Sequence, residues 1–423
     1  MLTRRTMLKS GAALAAGAGM GLPLLAQSVP LKIGYVSPQT GPLSGFAASD
    51  NFMVAHFLEA AKAAGLDVEV VVKDSQSNPN RAAEVARELI SRDEVNLIIV
   101  ASTPETTNPV CTIAEAEEVP VISTIAPWQP WFIGQQGNPN APDTWQSFNY
   151  VHHFFWGLED NVGVFMNMWD QIDTNKKVGA LWPNDGDGNA WASPDAGMPP
   201  ALAAGGYSLT DTGRYQNMTD DFSAQINAFK RDGVEILTGI PIPPDFTTFW
   251  TQAKQQGFNP KIASVAKALL FPEAVEALGD LGNNLTTEVW WSPEHPFTSS
   301  LTGQSARELA TAFSEAENRT WTQPAGFIHA AFEVAVDAIK RCADPTDRDE
   351  LAEAVGATAL DTVVGRVEWG RDNVPEFARK NVSKTPLVGG QWRKNDAGKF
   401  ELLIVENGLA PDIALTGTLE ALA

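Results

Sequence analysis

Leu31-Lys32-Ile33-Gly34-Tyr35-Val36, followed by Ser37-Pro38-Gln39-Thr40-Gly41-Pro42-Leu43-Ser44-Gly45-Phe46, is the stretch that decides the fold. The first six residues read as a buried strand. The next ten cannot extend it, because prolines and glycines interrupt a ladder. From Asp50 to Ala64, Phe52, Ala55, His56, Glu59 and Ala60 recur at helical intervals, which predicts a helix. Strand, loop and helix make a βα unit, and its loop lies at the carboxyl end of the strand, where open α/β sheets bind ligands. Phe46 gives that loop an apolar tip. One such loop could also be an ordinary crossover, so what matters is whether the pattern repeats.

It does. Val68 to Val72 reads as a second strand, and Asp74 to Pro79 as a turn into a helix that Asn78 caps and Pro79 starts, with Ala82, Val85, Ala86 and Leu89 on its buried stripe. Leu97 to Val100 is a third strand feeding Ala101-Ser102-Thr103-Pro104, where a helix start would aim free N–H groups and two hydroxyls into a crevice. Pro120 to Ser123 is a fourth, ending in Thr124-Ile125-Ala126-Pro127-Trp128. A second set follows: a strand over Lys177 to Trp182, a helix over Ala196 to Ala204, a strand over Val234 to Leu237 and a helix over Phe246 to Gln256. Two such sets predict an α/β protein of two doubly wound, Rossmann-like lobes. The apolar helix over Gly326 to Ala343 comes without a complete new sheet, so the chain crosses between lobes more than once.

Ahead of all this stands Thr3-Arg4-Arg5-Thr6-Met7-Leu8-Lys9, a small-residue apolar run from Gly11 to Leu25, and then Ala26. Paired arginines before a mildly apolar segment predict a twin-arginine export signal over residues 1–26, and hence a periplasmic protein. The formal net charge is −21, and losing Arg4, Arg5 and Lys9 makes it more negative. An acidic chain of this kind has no footprint for nucleic acid or an anionic membrane. At 423 residues it exceeds what one core usually serves. Its two cysteines, Cys111 and Cys342, either pair or remain thiols.

The ordered set Ile33-Gly34 to Thr40-Gly41-Pro42, Asp74 with Pro79 and the alanine-rich helix, Val119 to Ser123, and Gly365-Arg366-Val367-Glu368-Trp369 resembles the periplasmic solute-binding proteins of ABC importers, type I, the leucine/isoleucine/valine-binding class. The resemblance covers nearly the whole chain after the leader. It implies two lobes joined by a three-strand hinge that close on a small molecule and present the closed shape to a membrane permease. It places one lobe at residues 28–152 plus about 268–365 and the other at 153–267 plus about 366–423. It further implies a monomer that is not an enzyme and needs no cofactor. By the same resemblance a ligand carboxylate is held by Ser102, Thr103 and the Ser123, Thr124 to Ala126 loop, with an apolar contact from Phe46. Second-lobe contacts fall near Asp187 to Trp191 and near Pro241 and Ile242.

One position departs from that pattern. Where the class carries an acid for an α-ammonium group, this chain reads Ser264-Val265-Ala266-Lys267-Ala268. A lysine there would repel an ammonium and suit a carboxylate without an amine, although an exposed structural lysine fits as well. Thirteen tryptophans stand against four tyrosines. Flat indoles suit aromatic or apolar ligands, with Trp128 and Trp191 nearest to strand ends; core packing is the other use of such residues. Asp185-Gly186-Asp187-Gly188-Asn189 imitates a calcium loop but lacks its later glycine and acid, and the five histidines have no zinc spacing. The expected function is therefore an exported receptor for a small carboxylate, aromatic acids included. The alternatives are a branched-chain amino-acid or amide binder, a sensor-type receptor and a secreted hydrolase.

Overall fold

The computed structural model describes residues 30–135, 141 and 147–422, so the export signal expected over residues 1–26 lies outside the described residues. The strands in chain order are β1 (Leu31–Ser37), β2 (Val68–Asp74), β3 (Leu97–Ala101), β4 (Val121–Thr124), β5 (Val151–Phe154), β6 (Lys177–Pro183), β7 (Ser208–Tyr215), β8 (Ile236–Gly239), β9 (Ile262–Val265), β10 (Thr286–Val289), β11 (Ala359–Thr362), β12 (Gly365–Glu368), β13 (Val382–Ser383), β14 (Val388–Lys394) and β15 (Phe400–Glu406). One sheet runs β13-β5-β4-β3-β1-β2 and the other β15-β14-β10-β9-β8-β6-β7. The first is parallel throughout. In the second, β14 pairs antiparallel with both β10 and β15.

The opening stretch behaves as its sequence dictates. Ile33, Tyr35 and Val36 are buried in β1, and the helix that follows spans Asp50–Ala63. Asn78 caps the helix Pro79–Ser91 by accepting from the N–H groups of Asn80 and Arg81, while Ala82, Val85, Ala86 and Leu89 are buried beneath it. The apolar helix Pro324–Arg341 packs against β3 and β4 of the first sheet, and helix Leu158–Trp169 packs against β10, β14 and β15 of the second. Each sheet is thus a doubly wound lobe, and each reverses strand order once, between β1 and β3 in one and between β6 and β8 in the other. Ligands bind outside the carboxyl ends of strands at such reversals.

The chain crosses between lobes after β5, after β10 and after β13. The last two crossings differ from the sequence-based boundaries. Residues 268–289 stay with the second sheet, because β10 pairs with β9 and β14. Residues 366–383 stay with the first lobe: β12 forms a hairpin with β11 beside helix Pro324–Arg341, and β13 pairs with β5. A strand written Gly365-Arg366-Val367-Glu368 says nothing about which partner it will choose, since register is fixed by faces that pack later. Cys111 is buried, and both cysteines are free thiols. No helix among the described residues is long and apolar enough to cross a membrane.

Candidate functional site

The loops after β1, β3 and β4 of one lobe face those after β6, β8 and β9 of the other. Around the space between them stand Phe46, Thr103, Ile125, Pro127, Phe155 and Trp156 from the first lobe and its crossing, and Asp187, Ile240, Lys267, Leu270, Glu288 and Trp290 from the second. The space is about 20 Å³, room for roughly one water. A solute can enter only if the lobes part or side chains swing away.

The first-lobe wall is neutral. Thr103 occupies the N-cap of helix Pro104–Ala116 but caps nothing, and its hydroxyl is buried without a partner. The Trp156 indole N–H is buried and unpartnered too, as is that of Trp290, which faces it from the second lobe. Phe155 ties the two indoles together, edge-on to Trp290 at 5.0 Å and 4.8 Å from Trp156. Phe46 meets Phe271 edge-to-face at 5.0 Å. Ile125 lies at φ 68, a left-handed conformation that a β-branched residue adopts only under constraint.

The second-lobe wall is charged. The Lys267 ammonium lies 2.7 Å from Asp187 and 3.4 Å from Asp185, with side-chain exposures of 4% or less for Lys267 and Asp187. The Lys267 backbone N–H donates to Glu288 at 3.1 Å, and Lys267 also holds a left-handed φ of 62. Burial works against the ammonium, but Asp185, Asp187 and Glu105 outweigh it and hold its pKa above the ordinary lysine value. Burial pushes Asp187 up to about 7 against the pull of Lys267, and pushes Glu288 up to about 7 against the N–H it accepts. The second carboxylate oxygen of Asp187, Oδ1, has no partner. Asp185 caps the short helix Gly186–Trp191 by accepting from Gly188 at 2.8 Å, so the calcium-like run is a helix start. Glu105 of the first lobe accepts the Gly186 N–H across the cleft, and a Cβ on Gly186 would stand 2.8 Å from that carboxylate.

Of the residues singled out from sequence, Phe46, Thr103, Asp187 and Lys267 meet at this cavity. The others are near it but engaged elsewhere. Ser102 accepts from Thr106 at 2.6 Å, Ser123 lies 2.9 Å from His153 Nδ1, and Thr124 donates to the Phe154 carbonyl at 2.8 Å. The Ala126 carbonyl faces His153 Nε2 at 2.6 Å, leaving Ile125 and Pro127 to line the space. Trp128 packs on Phe132 and Phe377, and its N–H donates to Glu159 at 3.3 Å. Trp191 stands behind Trp156, edge-on at 6.2 Å, with its N–H on Asn161 at 3.4 Å. Ile240 lines the cavity in place of Pro241 and Ile242. Lys267 is a buried ion-pair partner rather than a free cation, so the expected repulsion of an ammonium group does not hold.

The indoles that reach the cavity follow β5 and β10 directly, at Phe155-Trp156 and Trp290-Trp291. Those aromatic pairs immediately after apolar strands were the available signal. Serine–histidine pairs also occur at Ser299 with His329, 2.8 Å apart, and at Ser292 with His295, 3.0 Å apart. None of these residues, nor Ser123 or His153, lines the cleft. Among the described residues, no group of three or more histidine, cysteine, aspartate or glutamate side chains is placed to hold a metal ion.

A family model described as periplasmic binding protein matches residues 30–377. No curated protein matches the chain. Among solved structures, a leucine-binding protein LivK from Thermotoga maritima is similar over 89% of this chain and 99% of its own, at 18% identity and a TM-score of 0.72. LivJ from Streptococcus pneumoniae, a branched-chain amino-acid transporter substrate-binding protein in complex with isoleucine, matches 89% of this chain and 100% of its own at 17% identity and a TM-score of 0.69. An ABC transporter solute-binding protein from Rhodopseudomonas palustris, in complex with 3,4-dihydroxybenzoic acid, matches 89% and 96% at 16% identity and a TM-score of 0.68. Likeness at these identities carries the fold and not the ligand. With two reversing sheets closed on one cleft and the family model matched over most of its length, the chain belongs to the periplasmic binding protein family, with the type I fold of ABC-importer solute receptors.

Proposed function

We propose that the chain captures a small apolar or aromatic carboxylate that carries a hydrogen-bond donor at its other end, and hands it as a monomer to an ABC permease. One observation carries this reading: four buried, unpartnered polar atoms belong to residues around one cavity between the lobes. Three are donors, the Thr103 hydroxyl and the Trp156 and Trp290 N–H groups, and one is an acceptor, Asp187 Oδ1. Each such atom costs about 1 to 3 kcal/mol when left without a bond, so a solute that satisfies all four recovers much of its own desolvation. A carboxylate suits the donors, and an ammonium or hydroxyl suits Asp187. Apolar walls of Phe46, Ile125, Phe155, Ile240 and Leu270 suit the body between. Because Lys267 is already paired, an amino acid fits these requirements as well as a hydroxylated aromatic acid does.

Calorimetry with matched sets tests the reading: 4-hydroxybenzoate, benzoate and 4-hydroxybenzamide in one, leucine, 4-methylpentanoate and leucinamide in the other. In the set that binds, the first member should bind at least tenfold more tightly than the other two. Equal affinity for an acid and its amide would remove the carboxylate from the proposal, and equal affinity with and without the donor would remove the role of Asp187. A ligand at a hundred times its dissociation constant adds about 2.7 kcal/mol of stability, so a thermal-shift screen can find the set first. Export by the twin-arginine route belongs to the same reading. Replacing Arg4 and Arg5 by lysine should leave the protein in the cytoplasm, and normal accumulation in the periplasm would rule that route out.

A further inference from the structure

Around the third crossing lies a second pocket of about 350 Å³. Its charge runs against that of the molecule. In a chain of net charge −21, Arg366, Arg371 and Lys384 line this one pocket, and Asp160 is the acid among the lining residues. Two of the cations are held in place. Lys384 lies 2.7 Å from Glu159 and 2.8 Å from Asp160, and Arg366 lies 3.1 Å from Glu368 and 3.3 Å from Asp361. Arg371 makes no ion pair among the described residues. Beside it, the Thr385 hydroxyl is buried, with the residue 4% exposed, and has no hydrogen-bond partner. Asn373 adds an amide at the rim.

We infer that this pocket is a binding site for a small oxyanion such as inorganic phosphate, held by Arg371, Arg366 and the Thr385 hydroxyl, and that its occupancy favours the closed arrangement of the lobes. The chemistry follows from the donors. A guanidinium fork matches the spacing of two oxyanion oxygens, and a buried hydroxyl with no partner supplies a third bond without further desolvation. Lys384 and its two acids fix the crossing against helix Leu158–Trp169, so the site is preorganised. The coupling follows from position. Arg366 and Arg371 belong to the first lobe, Asp160 and Leu409 to the second, and Thr385 to the segment that joins them. An anion that ties Arg366 and Arg371 to the Thr385 hydroxyl spans the first lobe and the joining segment, whose relation to each other changes when the lobes rotate, and a ligand that prefers one arrangement shifts the population toward it. The inference is independent of what the cleft between the lobes binds.

Titrating inorganic phosphate into the full chain at constant ionic strength, balanced with sodium chloride, tests both parts. One phosphate should bind per chain, Arg371→Gln should weaken it more than tenfold, Thr385→Val several-fold, and Thr385→Ser should restore it. Saturating phosphate should reduce the radius of gyration measured by X-ray scattering, and the reduction should vanish in Arg371→Gln. Absence of saturable binding, or binding unchanged in Arg371→Gln, overturns the site; binding without a change in radius overturns the coupling.

Discussion

The two walls of the cleft solve the problem of facing a polar solute in opposite ways. On the first lobe the polar atoms are neutral donors set into an aromatic surface, and they wait unpaired. On the second, charges are buried in opposed pairs, with Lys267 bracketed by Asp185 and Asp187 and its own backbone N–H on Glu288. The neutral wall can gain bonds from a ligand without giving any up. On the charged wall the ionised groups are already satisfied except at Asp187 Oδ1, and the Trp290 N–H stands unpartnered beside them, so its main work is to hold the closed geometry and to supply one acceptor and one neutral donor.

The largest effect should come from breaking the charged wall. Lys267→Met leaves Asp185, Asp187 and Glu105 facing one another without their cation, and removing one partner of a buried pair costs about 3 to 5 kcal/mol. Urea unfolding at pH 7.5 should show that loss; an unchanged midpoint would mean that the pair is not buried in solution. A pH titration probes the same wall more gently. Burial holds Asp187, Glu288, Asp50 and Glu333 near 7, above their unfolded values, so the folded state keeps protons that the unfolded state has lost. Stability from these acids is present below about pH 4 and is lost as pH rises through 7. His152, His153, His295 and His329 are held near 3 by burial and act in the opposite sense, adding stability as pH rises from about 3 to 6.5. Above pH 6.5 the histidines have finished and the acids have not. The melting temperature should therefore be nearly level between about pH 4.5 and 6.5, where the acids and the histidines offset one another, and fall between about 6.5 and 8; a rise across that last window would contradict the assignment.

Thr103→Val addresses the neutral wall. Its hydroxyl is buried without a bond in the folded chain, so removing it should raise stability by about 1 to 3 kcal/mol, while binding of the solute should weaken more than tenfold, the equivalent of about 1.5 to 3 kcal/mol for a hydrogen bond to an anion. A variant whose stability falls while its affinity holds would reverse the role given to Thr103.

The contrast between the walls also marks what could be read from residues alone. The strands, the βα loops and the positions of Phe46 and Thr103 were legible because alternation, turn residues and helix starts are local. The pairing of Lys267 was not, since its partners lie about eighty residues earlier in another loop, and a lone lysine in sequence carries no sign of what neutralises it. Ser102, Ser123 and Thr124 have the right chemistry at the right strand ends, yet neighbouring side chains and carbonyls take up their hydroxyls. Which of two adjacent hydroxyls faces a cleft depends on backbone detail that spacing does not encode. The fate of residues 366–383 was hidden for a related reason: β12 and β13 are too short to declare a sheet.

The smallest expected effect separates an indole in the cleft from one beside it. Trp156 and Trp128 are both buried, at 2% and 4% exposure, and each lies close behind a strand of the first sheet. Their N–H groups differ: that of Trp156 is unpartnered at the cavity, whereas that of Trp128 already donates to Glu159 at the hinge. Replacement by phenylalanine keeps a ring and removes the N–H. For Trp156→Phe the loss falls on the bound state, and one neutral donor is worth about 1 kcal/mol, a weakening of roughly fivefold in affinity. For Trp128→Phe the loss falls on a contact made with or without solute, so affinity should stay within twofold while the melting temperature drops by a degree or two. Calorimetry and thermal unfolding on the two variants decide the matter together. Equal losses of affinity would place both indoles at the solute, and a change in stability alone at Trp156 would make that indole a packing residue.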